Sequence, residues 1–287
     1  MESVRVFVLA LDGLEYRLVW HWKLKSLMQK TYGRTAVTPE YFGGDEHDSP
    51  STPVLWASFI TGKPPTQHGV VGWWTYGKTL DLIRRKPPLV WIRHKRKFLR
   101  RIQLDPERIL KRKMVNKDNL RIATIFDFVE PSIAVDVPAY NSLGKSRIPL
   151  FQIFLEQGLE AFEKAAWMIY RERVEKVFGE LDKPWRLFMA WFGVSDLMGH
   201  IHIARRPRLL RNAYQKLDTL ANQLKERTGE NTVFLIVSDH GMKPMPDGTG
   251  NHSLQAFWSV NIETEWKPTG ITDFYGWISR LLSPVGE

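Results

Sequence analysis

The sequence predicts an α/β fold, a three-layer sandwich with a mainly parallel central sheet and a small basic helical insertion. Three observations carry that expectation. Apolar, β-branched runs recur and end in a loop bearing a polar or charged residue. Helical patterns with apolar residues at three and four spacings lie between them, and strands that alternate with helices imply a parallel sheet covered on both faces. The candidate ligands fall after the strands, where open α/β sheets bind their ligands.

The first run covers residues 4–11 and ends at Asp12-Gly13. A weaker run at 132–137 precedes Pro138, the run at 187–194 precedes Ser195-Asp196, and the run at 233–237 precedes Ser238-Asp239-His240-Gly241. Helices are expected over 158–178 and 209–227, the second stopping at Gly229. A further helix is expected to start at Thr52, with Pro53 in its first turn, and to stop at Gly62. Asp196 and His200 are four apart, so a helical turn between them puts both side chains on one side.

Composition bounds the function. The 287 residues are 43% hydrophobic and 25% charged, within the range of an ordinary globular chain. No cysteine is present, which excludes disulfides, thiolate nucleophiles and zinc-thiolate sites. No stretch of about 18 apolar residues offers a bilayer-spanning helix. The amino terminus lacks a basic flank followed by a cleavage-like site, so it reads as a first strand and the expected location is cytoplasmic. The formal charge of +10 is unevenly placed. Between Arg84 and Arg121, 15 lysines and arginines face three acids, and the remainder of the chain is slightly acidic.

That basic stretch forms most of the expected insertion at about 78–120, within a single domain covering residues 1–287. Pro87-Pro88 breaks the chain, 89–104 reads as a basic amphipathic helix, and Asp105-Pro106 resembles a helix start. Its mixture of Trp91 and Phe98 with Arg93, Lys95, Arg96 and Lys97 suits phosphate binding, either of a substrate or of an anionic polymer or lipid surface. A solvated charged helix is the plain alternative. No obligate protein partner is evident.

Seven residues suit hard-metal coordination or attack on phosphorus: Asp12, Thr52, Asp196, His200, Asp239, His240 and His252. Four of them have an ordinary reading too: Thr52 as a helix cap, Asp196 and His200 as a surface pair, His252 as a solvent histidine. His202 competes with His200. Their chemistry is more specific as a group. A hydroxyl is a poor nucleophile at neutral pH unless activated, and Thr52 stands where helix N–H groups favour an anion. Carboxylate and imidazole donors without thiolate suit Zn²⁺, Mn²⁺ or Fe.

Asp12, Thr52, Thr61-Gly62, Pro65-Thr-Gln-His68-Gly69-Val70, Asp196-Leu-Met-Gly-His200, Ser238-Asp-His-Gly-Met242 and Asn251-His252 occur in this order. Together they resemble the alkaline phosphatase superfamily, and within it the type I phosphodiesterase and nucleotide pyrophosphatase group. The resemblance covers 4–75 and about 120–260 and leaves 78–120 out. It implies an alkaline-phosphatase-like fold and two divalent metal ions. Asp12, Thr52, Asp239 and His240 would surround one ion, and Asp196, His200 and His252 the other. It implies a phosphate-ester substrate and a two-step displacement, in which Thr52 becomes phosphorylated and water then releases the phosphate. His68 matches the motif as a loop support. A threonine at the nucleophile position argues against a sulfatase. A phosphomonoesterase or a phosphoglycerate-mutase-like phosphotransferase is the enzymatic alternative, and an anion-binding module the non-enzymatic one.

Overall fold

The computed structural model describes residues 4–43, 46–75, 113–142 and 150–283. Its centre is a six-stranded sheet in the order β2-β12-β9-β1-β8-β7. The strands are β1 (Arg5–Leu11), β2 (Thr31–Ala36), β7 (Ser132–Val135), β8 (Leu187–Phe192), β9 (Thr232–Val237) and β12 (Gln255–Val260). β1 pairs in parallel with β8 and β9, and β7 in parallel with β8. β12 runs antiparallel to both β9 and β2. Five strands thus share one direction, and the expected mainly parallel sheet is what forms.

The central strands β1, β8 and β9 are buried almost end to end, as strands covered on both faces must be. Their side chains alternate between two apolar layers. Val6, Val8 and Ala10 face the layer that contains α3 (Thr52–Thr61) and α8 (Asp273–Leu282). Phe7, Leu9 and Leu11 face the layer built by α1 (Tyr16–His21), α2 (Lys25–Met28), α5 (Leu150–Glu180) and α7 (Pro207–Thr228). One aromatic ring from each of three adjacent strands stacks in this second layer: Phe7 lies 5.0 Å from Phe188 and 4.9 Å from Phe234. Offset ring pairs of this kind add to the stabilisation from burial alone. The helix expected over 158–178 is the longer part of α5, which is interrupted at Gly158, and α7 ends before Gly229 as its residues require.

Most of the basic insertion, with the expected helix at 89–104 and Arg93, Lys95, Arg96 and Lys97, lies outside the described residues. Its flanks are described. β5 (Trp74–Thr75) pairs with β6 (Lys113–Met114), so the segment leaves and rejoins the body at one place. Among the described residues, no helix is long and apolar enough to cross a membrane.

Candidate metal centre and nucleophile

Asp12, Thr52, Asp196, Asp239 and His240 sit where a strand hands over to a loop or helix, His200 lies further along a helix, and His252 lies within a strand. Asp12 follows β1, and its backbone is held by Asp12 N–H donating to Phe192 O. Gly13 comes next with φ of 65°, and a Cβ there would lie 2.9 Å from Asp196. Glycine therefore supplies both the left-handed turn and the room for Asp196 to approach Asp12. Asp196 and His200 lie on α6 (Val194–His202), which extends the predicted turn into a helix. Asp239 and His240 follow β9. His252 lies in β11 (Gly250–Ser253), paired in antiparallel register with β10 (Gly241–Pro244), so that Met242 stands opposite it. The predicted flexible loop before His252 is thus part of a hairpin, and the histidine is 8% exposed rather than in solvent.

Thr52 is the first residue of α3, a helix buried on all sides, and Ser51 is its N-cap. The Thr52 hydroxyl does not cap the helix. It donates to Asp12 Oδ1 at 3.2 Å and lies 3.5 Å from His240 Nε2. Val54 N–H and Leu55 N–H both donate to Ser51 O, and Pro53 has no N–H. The Leu55 side chain is buried in the core.

The seven side chains fall into two contiguous groups. In the first, His240 Nε2 lies 3.3 Å from Asp12 Oδ1 and 3.5 Å from Asp239 Oδ2, with Thr52 Oγ1 beside both Asp12 and His240. In the second, Asp196 Oδ1 lies 3.3 Å from His200 Nε2 and 3.4 Å from His252 Nε2, and the two nitrogens are 3.1 Å apart. The groups meet where the His240 and His252 rings stack at 3.8 Å. His240 also clusters with Asp196 and His252, closely enough to serve either group.

Hydrogen bonding fixes which nitrogen faces the centre. His200 Nδ1 lies 2.9 Å from Gly250 O, His240 Nδ1 3.0 Å from Gly241 O, and His252 Nδ1 2.8 Å from Pro50 O. A carbonyl only accepts, so each Nδ1 carries the hydrogen and donates. In the neutral rings all three Nε2 lone pairs then point at carboxylate oxygens or at each other. Asp196 Oδ1 and Asp239 Oδ2 are buried and make no hydrogen bond. Lone pairs converging in this way are satisfied only by protons or by cations.

The spacing suits cations as well as it suits hydrogen bonds. A cation held tetrahedrally by oxygen and nitrogen at 2.0–2.1 Å keeps its ligand atoms about 3.3 Å apart. The measured edges, 3.3, 3.4 and 3.1 Å in the second group and 3.2 to 3.5 Å in the first, match that figure. The residues present therefore fit two divalent ions.

Electrostatics agree. Burial pushes the Asp239 carboxyl well above the usual carboxylate range, and the charge of Asp12 beside it adds to the rise. Burial also raises Asp196, but the charges of His200 and His252 more than reverse this and hold it well below its ordinary value. For His240, burial favours the neutral ring, yet hydrogen bonding and charge from Asp12 outweigh it and the pKa rises. Three carboxylates crowded here, with the Asp239 pKa pushed well up, mark a place where positive charge is in demand.

His202 is not part of the centre. It is buried against Glu163, with Nε2 3.2 Å from Oε1, which leaves His200 as the member of the pair that faces Asp196. His68 is buried under α3: Val70 N–H donates to its Nδ1, so its Nε2 donates to Ser58 Oγ at 2.9 Å. It braces the helix that carries Thr52. Sequence reading missed three supports. Ser195 Oγ donates to Asp12 O, Ser238 Oγ accepts from Leu14 N–H and donates to His240 O, and Glu15 binds the β10–β11 hairpin. Ser195 and Ser238 directly precede acidic ligands, which is the only signal the sequence offered for them.

A family model described as type I phosphodiesterase / nucleotide pyrophosphatase matches residues 6–274. No curated protein matches. Among solved structures, murine ectonucleotide pyrophosphatase/phosphodiesterase 5 is similar at 13% identity and a TM-score of 0.47, over 85% of this chain and 59% of that one. An inactive form of it was solved in complex with AMP. Phosphonoacetate hydrolase from Sinorhizobium meliloti 1021, in complex with phosphonoacetate, is similar at 14% identity and a TM-score of 0.49, over 85% of this chain and 58% of that one. The chain thus spans somewhat under two thirds of the length of these structures.

Proposed function

The chain belongs to the type I phosphodiesterase / nucleotide pyrophosphatase family, and on that premise we propose that it is a metal-dependent phosphoric ester hydrolase. It acts on phosphodiesters through a phosphothreonine intermediate at Thr52. The observation that carries this reading is the Thr52 hydroxyl, which forgoes helix capping and turns into a shell of Asp12 Oδ1 and His240 Nε2 at 3.2 and 3.5 Å. A threonine placed only to start a helix has no reason to adopt that position.

Asp12, Asp239 and His240 would hold one divalent cation, and Asp196, His200 and His252 a second. The mixed oxygen and nitrogen donors favour zinc, with manganese or iron as the other candidates. When bound, such a pair supplies Lewis acidity for the attacking and leaving oxygens of an in-line displacement. The protein's own residues do the rest. Asp12 accepts the Thr52 hydroxyl proton, the Thr52 oxygen bonds to phosphorus, and the bond to the leaving oxygen breaks, that oxygen taking a proton from solvent while the second ester group stays on the phosphorus. In the second half, water bonds to phosphorus and gives a proton to solvent, the bond from phosphorus to the Thr52 oxygen breaks, and that oxygen takes back the proton held by Asp12, releasing a phosphomonoester. The amino end of α3 faces the anionic phosphate. The basic segment around Arg93, Lys95, Arg96 and Lys97 is the proposed recruiter of anionic substrate.

Turnover of a chromogenic phosphodiester and of the matching monoester by zinc- and manganese-loaded protein tests the reading. Diester turnover should exceed monoester turnover, disappear with chelator, and fall by ~10³-fold or more in Thr52→Ala, since a nucleophile acts as a unit with its neighbours. Chelator-resistant turnover, or retained turnover in Thr52→Ala, would contradict it.

A further inference from the structure

Glu15 lies three residues after Asp12 and is 6% exposed. A buried carboxylate is costly unless its oxygens are fully engaged, so the identity of its partners is informative. Oε1 accepts from Arg17 N–H at 3.2 Å, capping α1. Oε2 accepts from Met242 N–H at 3.0 Å and from the Ser253 hydroxyl at 2.9 Å. The Glu15 backbone is fixed as well, its N–H donating to the buried Tyr214 hydroxyl of α7 at 2.8 Å. Among the described residues no lysine or arginine pairs with this carboxylate.

The two groups gripped by Oε2 are on different strands. Met242 lies on β10, two residues after His240, and Ser253 lies on β11, directly after His252. Gly241 stands opposite Ser253 in the ladder, and a Cβ on it would lie 2.3 Å from Glu15 Oε2 and 2.5 Å from Ser253 Oγ. Only glycine there lets the carboxylate reach both strands at once. One side chain from the Asp12 loop therefore clasps the start of β10 and the end of β11, the strands bracketed by His240 and His252.

We infer that Glu15 is a positioning residue that sets the two ligand groups relative to each other. It fixes His240 against Asp12 in the first group and His252 against Asp196 in the second. The inference rests on the metal-centre reading above. It requires the anion specifically: all three groups facing the carboxylate are donors, so a glutamine must turn its amide N–H₂ toward either Arg17 N–H or the Met242–Ser253 pair. The charge has a second consequence. Asp12, Glu15, Asp196 and Asp239 form a set of four carboxylates, matching in formal charge two divalent cations, with Glu15 contributing from outside the donor shell.

The test is calorimetric titration of the metal-free full chain with Zn²⁺ or Mn²⁺ alone, for wild type, Glu15→Gln, Glu15→Ala and Ser253→Ala, with thermal unfolding of each metal-free protein. The inference expects Glu15→Gln to fold and to bind metal about 10–100-fold more weakly, the scale of losing an outer-shell partner. Ser253→Ala should show a smaller loss in the same direction, one that persists at temperatures where the metal-free variant is fully folded, which a merely structural role does not produce. Wild-type affinity in folded Glu15→Gln, or in Ser253→Ala if the Glu15 variants do not fold, overturns it. Wild-type protein that binds no metal would instead sink the metal-centre reading itself, so the two failures are distinguishable.

Discussion

At the scale of single residues, Asp239 and Thr52 behave as their surroundings dictate and not as their intrinsic chemistry suggests. Asp239 is fully buried beside Asp12, and its raised pKa means that the metal-free fold carries a proton that the unfolded chain would release near pH 4. Between the unfolded value and the raised folded one, the folded state binds more protons, so metal-free stability falls as pH rises through that window. Asp239→Asn removes this slope. The variant should melt at least as high as wild type at neutral pH without metal, and should lose most of the stabilisation that added zinc gives the wild type. Melting curves at two pH values, with and without zinc, check both halves. Asp196 contributes with the opposite sign: its depressed pKa stabilises the fold above about pH 4 and that contribution is lost on acidification. All seven residues were visible in the sequence as candidates because hard donors after apolar runs stand out against a core. The roles of Glu15, Ser195 and Ser238 were not, because a serine or glutamate beside a ligand has the same local pattern whether it faces water or clasps a buried strand.

At the scale of elements, the site depends on how rigidly α3 and the β10–β11 hairpin are held. α3 is apolar around its whole circumference and buried throughout, so its position follows from packing on β1 and α8 and from the brace beneath it. His68 is that brace, joining Val70 N–H to Ser58 Oγ. His68→Ala leaves both groups buried without this partner and should cost about 1–3 kcal/mol of stability. Thermal unfolding would read that loss, and phosphodiester turnover should fall with it while metal stoichiometry stays at the wild-type value. The strands β1, β8 and β9 were readable as continuous apolar runs, α7 from apolar residues at three and four spacings, and α3 from Pro53 in its first turn and the stop at Gly62. β2 and β12 were not. β2 is a half-exposed edge strand interrupted by Gly33, and β12 runs antiparallel to its neighbours, so neither follows the strand-then-ligand pattern of the parallel strands. The hairpin holding His252 was hidden in part: Asp247-Gly-Thr reads as a loop and is one, and only pairing with β10 makes Gly250–Ser253 a strand.

At the scale of the whole molecule, the central sheet brings the candidate ligands that follow β1, β8 and β9 together beyond its strand ends, the β10–β11 hairpin adds His252, and two stacked histidines join them into a single centre. The order of motifs along the sequence was sufficient to anticipate that convergence, whereas the basic insertion was legible only as charge. Binding cations at this centre must displace protons held by Asp239 and His240, both of which have raised pKa values. Zinc affinity should therefore weaken as pH falls through those values, and the heat of zinc binding should vary with buffer ionisation enthalpy in the direction of proton release. Equal heats in two buffers of different ionisation enthalpy would contradict the assignment of those two residues. The central claim, that Thr52 carries the phosphoryl group between the two half-reactions, is tested most directly by acid-quenching the metal-loaded enzyme during turnover of a phosphodiester and mapping phosphate by peptide mass spectrometry. The account predicts Thr52 carrying the phosphoryl group with its retained ester substituent in the wild type and no such adduct in Thr52→Ala; steady turnover with no phosphoryl adduct on Thr52 at any quench time would contradict it.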